Sequence, residues 1–77
     1  VPISVPPDKA LASTLRRLRL ERNQTQEDLA YSAGITVAGL ARIERGQANP
    51  RWTTVRSIAS ALDIGMGELG EAVEGAG

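Results

Sequence analysis

Residues Thr25–Gly46, TQEDLAYSAGITVAGLARIERG, read as two short helices around one glycine. Thr25 is an N-cap residue, and Asp28 three positions on makes a near-capping box. Glu27 and Asp28 favour the positive end of the helix dipole. Leu29, Ala30 and Ala33 form the stripe to be buried. Gly34 can then take the positive φ that ends a helix. Thr36 caps the next helix, from Val37 to about Arg45, whose inward residues are Leu40 and Ile43, and Gly46 stops it. The connection is about four residues, as in an αα-corner of the helix-turn-helix kind. Such a corner needs a small residue at the close approach, a glycine at the turn and apolar plugs beyond. Ala30, Gly34, Leu40 and Ile43 supply these at steps of four, six and three.

Outward from this corner the helical period continues. Leu11, Leu15, Leu18 and the stem of Arg22 share one face of a helix that Asp8 can cap near Lys9. Arg16, Arg17 and Glu21 lie away from that face, and so does Leu20, an apolar residue with no evident partner. After the turn QANPR, Trp52, Val55, Ile58, Ala59 and Leu62 repeat the period. Leu40, Ile43 and Trp52 are therefore read as core. Ile64, Met66, Leu69 and Val73 outline a fifth short helix, weakened by Gly65, Gly67 and Gly70 at up to ~1 kcal/mol each. VPISVPP at the start, with three of the four prolines, predicts an extended arm over 1–7. The expected organisation is this arm, a domain over 8–72 and a frayed tail over 73–77. No strand signal and no repeat is visible, so the fold class is all-α, with five short helices.

Composition narrows the function. The 77 residues allow one small domain, and aliphatic residues with one Trp and one Tyr suit packed helices. There is no Cys, which excludes disulfides and thiolate zinc, and no His, the commonest general base and metal ligand. Neither a cofactor nor a metal is expected. No apolar run approaches the ~20 residues of a membrane span. No signal peptide is evident, so a cytoplasmic protein is expected. The opening Val in place of Met is expected of a fragment or a processed product. The net charge of zero hides an asymmetry. Residues 1–56 hold all nine cations and five acids, whereas residues 57–77 hold four acids and no base. A body of +4 beside a tail of −4 fits a polyanion partner on one side, or an ordinary solvated surface.

Several stretches in register, TQEDLA…AG, ARIERG…NP and IASAL, resemble the phage repressor and Cro type of helix-turn-helix domain, the xenobiotic response element family. The resemblance covers roughly residues 11–70. It implies a compact five-helix, lambda-repressor-like fold, binding to double-stranded DNA as a transcriptional regulator, and a homodimer. By position it implies base contacts from Val37, Ala38 and Arg42. It implies phosphate contacts from Gln26, Thr36, Arg45, Gln47 and Asn49. It also implies an internal salt bridge between Arg19 and Glu44. The chain departs from the family pattern at Gln24, Gly39, Arg51, Trp52 and Gly70.

The residue chemistry agrees independently. A recognition helix offers its first turn and the side chain about four further on to the major groove. Arg42 can bond guanine O6 and N7, and Val37 and Ala38 can pack on a thymine methyl or simply permit close approach. Arg45 reads equally as a solvated surface residue, and Arg16, Arg17 and Arg22 read as surface or packing. A protein-interaction module on the same fold, antitoxin-like or coactivator-like, is the second reading, because the helix carries few polar side chains. An enzyme is third, since no His can activate the serines and the carboxylates fall on exposed faces.

Overall fold

A computed structural model describes residues 7–76, and the arm expected over 1–7 lies outside them but for Pro7. The described residues contain five helices and no strand: α1 (Lys9–Glu21), α2 (Gln26–Ala33), α3 (Val37–Glu44), α4 (Trp52–Ala61) and α5 (Met66–Ala76).

The helices begin where local capping chemistry puts them. Asp8 accepts from the Leu11 N–H, starting α1. Thr25 and Asp28 complete a reciprocal capping box on α2. Thr36 accepts from the Gly39 N–H on α3. The helix ends share one device. At each of the first four, an N–H two residues past the turn bonds five residues back: Gln24 to Arg19, Ile35 to Ala30, Gln47 to Arg42 and Ile64 to Ala59, all 2.9–3.2 Å. The residue before each of these donors has positive φ: Asn23, Gly34, Gly46 and Asp63. Asn and Asp take this conformation more readily than other side chains, because they are short and polar.

One core joins the helices. Leu15 and Leu18 of α1, Leu29 of α2, Leu40 and Ile43 of α3, Val55 and Ile58 of α4, Leu62 and Leu69 are buried together. The principal contacts are α2 on α4, α1 on α5, and α3 on both α1 and α2. Arg22 adds a tie between distant ends. Its Nε donates to the Leu62 carbonyl at 2.6 Å, at the C-terminus of α4 where a cation is favoured. At the corner between α1 and α2, Gln24 Oε1 is buried with no hydrogen-bond partner, a local cost.

Trp52 is a correction. It was expected in the core, yet it is 65% exposed. It is the first residue of α4, and helical side chains lean toward the N-terminus. Its ring stays in solvent, while Val55 and Ile58 further along α4 are buried. Arg51, before it, gives no side-chain cap. α5 also runs on to Ala76, past the boundary expected at 72. Leu69 holds it to the core, with Met66 and Val73 half-buried beside it.

Candidate nucleic-acid interface

α3 has two faces of different kind. Leu40, Ala41, Ile43 and Glu44 are buried. Val37, Ala38, Arg42 and the capping residue Arg45 are exposed. At 100° per residue, Ala38, Arg42 and Arg45 cluster within one arc, and Val37 (37% exposed) stands apart from it on the first turn, beyond the buried Ala41. Arg42 thus stands beside small apolar side chains on an open helix surface. Gly39 sits between these faces, and a Cβ there would lie 2.9 Å from Thr36 Oγ1, the hydroxyl that caps the helix. That close approach is a steric reason for glycine at an interior position.

The inward side of α3 is locked by a charged network. Arg19 Nε donates to Glu44 Oε2 at 2.8 Å, and Arg19 Nη2 donates to Glu44 Oε1 at 3.0 Å. Arg19 Nη1 reaches the Gln24 carbonyl at 2.8 Å, and Gln26 Nε2 donates to Glu44 Oε1 at 3.2 Å. The pair is buried, with 8% and 1% of the two side chains exposed. The Glu44 hydrogen bond raises the Arg19 pKa further above its ordinary value, against the opposing effect of burial. The guanidinium stays charged, and α1, α2 and the end of α3 are held in one orientation by bidentate geometry.

The residues named for phosphate fall into three groups. Gln26 opens α2 and touches Glu44, the last residue of α3, while Thr36 precedes the first. They therefore flank opposite ends of the exposed face. Thr36 accepts from Gly39, which leaves its own hydroxyl hydrogen to donate. Arg45 and Gln47 follow α3 and are exposed. Asn49 is different: its Oδ1 accepts the Asp8 N–H at 2.8 Å, clamping the start of α1 to the loop after α3. Sequence patterning passes over Lys9, whose Cγ lies 3.4 Å from where a Cβ on Gly46 would sit. That neighbour is 37 positions away, so no local spacing signals it. Among the described residues no cluster of His, Cys, Asp or Glu could hold a metal, and no helix is long and apolar enough to cross a membrane.

Comparison with known proteins places this geometry in a class. The family model described as a helix-turn-helix domain matches residues 10–72. The chain belongs to the helix-turn-helix family, in its Cro and phage-repressor form. It is similar to the HTH-type transcriptional regulator DdrOP3 of Deinococcus deserti, 42% identical over 64 residues. That match takes in 83% of this chain and 50% of DdrOP3, so the chain spans about half that relative's length. Among solved structures it is similar to the restriction-modification controller protein C.AhdI of Aeromonas hydrophila, with 34% identity and a TM-score of 0.77 over 79% of this chain and 92% of that one. It is also similar to the controller protein C.Esp1396I, solved as a tetramer with its natural 35 base-pair operator. There the identity is 25% and the TM-score 0.84, over 88% of this chain and 90% of that one.

Proposed function

We propose that this chain is the DNA-binding domain of a transcriptional regulator. It places α3 in the major groove of a specific double-stranded site and works as a homodimer in the cytoplasm. The observation that carries the proposal is the division of α3: an open face of Val37, Ala38 and Arg42 on a helix whose other face is fixed by Leu40, Ile43 and the Arg19–Glu44 pair. A rigid mount matters because a bidentate base contact tolerates little angular error. C.Esp1396I, a protein of the same fold, was solved on its operator.

In this reading Arg42 bonds a guanine edge, while Val37 and Ala38 approach a thymine methyl. Gln26, Thr36, Arg45 and Gln47 set the register on the phosphates, with donors at both ends of α3. Asn49 contributes through the loop it clamps. With one long polar side chain on the reading face, sequence-dependent DNA shape carries much of the discrimination. Nothing in the proposed mechanism calls for catalysis or a cofactor.

Electrophoretic titration of a duplex at two salt concentrations tests the proposal. Phosphate neutralisation makes the affinity fall steeply with salt, with a slope set by the number of contacts. Absence of duplex binding at low salt would favour the protein-interaction reading instead.

A further inference from the structure

A groove of about 720 Å³ lies between α1 and the C-terminal end of α3. Leu20 is its exposed apolar side chain, the buried Ala12 and half-buried Gly46 lie at its floor, and Lys9, Arg16 and Arg45 stand around it. Leu20 is 48% exposed, the apolar residue that the helical period leaves without a partner. Arg17 at the groove is paired with Glu21 at 3.0 Å. Among the described residues Lys9, Arg16 and Arg45 have no ion-pair partner. The groove shares Arg45 with the proposed DNA contacts but none of Val37, Ala38 and Arg42.

We propose that this groove docks an acidic amphipathic helix of a partner protein, and that docking weakens DNA binding. The two halves of the groove's chemistry select this occupant. Its apolar lining accepts aliphatic side chains at i, i+3 and i+4, the helix-in-groove mode. Its three uncompensated cations complement glutamates beside that stripe. A nucleic-acid backbone would satisfy the cations but leave the half-exposed Leu20 without an apolar partner. The acidic α5 of a second copy is a poor candidate, because its Leu69 is buried in its own core and Val73 packs there too. Docking and DNA binding compete for Arg45, so each weakens the other by the same factor. This antagonism rests on the DNA-binding reading; the docking does not.

The probe is a labelled synthetic helix with leucines on one face and flanking glutamates, titrated against the whole chain by fluorescence anisotropy. Its control is a scrambled peptide of identical composition. The patterned peptide should bind at least tenfold more tightly than the scrambled one. Leu20→Asp and Arg16→Glu should each weaken it about tenfold. Leu20→Asp should leave the thermal melt and duplex affinity unchanged, because Leu20 is exposed and outside the DNA contacts. Unlabelled patterned peptide should raise the apparent Kd for duplex. Equal binding of both peptides, or indifference to Leu20→Asp, would overturn the docking. Sedimentation showing that Leu20→Asp splits a dimer would overturn it in favour of a self-contact. Should the chain bind no duplex at all, the peptide titration still decides the docking by itself.

Discussion

In the proposed function Arg42 is the base-reading guanidinium on the open face of α3, with Arg45 assigned to phosphate. Arg42→Ala is expected to weaken binding to the preferred site by about 1–3 kcal/mol and to relax selectivity at one base position. Duplexes carrying each of the four bases at every position measure this. An equal loss on all of them would make Arg42 a phosphate contact. Arg19 acts on the fold instead. Arg19→Ala leaves the Glu44 carboxylate buried with only the Gln26 amide as a partner. Stranding one member of a buried pair costs about 3–5 kcal/mol, and the remaining amide puts the expected loss near the lower end. A thermal melt checks it, and an unchanged melting temperature would contradict the pair's structural role. Asp28 makes stability depend on pH. The backbone N–H of Thr25, and then its hydroxyl, hold the Asp28 carboxyl below its ordinary pKa. The folded pKa lies below the unfolded one, so this stabilisation is present above the ordinary carboxylate range and is lost as pH falls through the lowered value. Asp28→Asn should flatten that part of the acid limb in melts run from neutral pH downward. Cap residues such as Asp8, Thr25 and Thr36 were legible in the sequence because capping is a contact across three residues. Trp52 was not, because helical period says which face a residue shares but not whether a neighbour reaches the helix end.

At the scale of elements, the corner from α2 to α3 was readable because its demands are steric and local. The ends at Asn23 and Asp63 were harder to read, since the same left-handed turn is made there without glycine. α5 forms despite Gly67, Gly70 and Gly75 because Leu69 anchors it and α1 and α4 pack against it. A Cβ at Gly70 would meet nothing within 4 Å, and its φ is not positive. Gly70→Ala is therefore expected to stabilise the domain by up to ~1 kcal/mol, through helix propensity and a less flexible unfolded chain. Calorimetry checks this, and a lower melting temperature would mean that α5 needs glycine at that place. The groove beside α1 was illegible in sequence. It brings Lys9 and Leu20 to Arg45 and Gly46 across long separations, and only the packing of α1 on α3 creates it.

For the whole molecule, residues 1–56 carry nine cations and five acids, and residues 57–77 four acids and no base. A polyanion is attracted to one part and repelled by the other, which favours one orientation on approach. In the proposed homodimer, two copies of α3 would meet half-sites related by a two-fold axis, about 34–36 Å apart. The proposed function stands on whether α3 reads sequence. The most direct measurement is repeated selection of duplexes from a random pool by this chain, followed by titration of the winner at two salt concentrations. Enrichment of one two-fold symmetric site is expected, with one base position relaxed in Arg42→Ala and with affinity that falls as salt rises. A pool that yields no preferred sequence, with only salt-labile binding that treats every duplex alike, would contradict the proposed function.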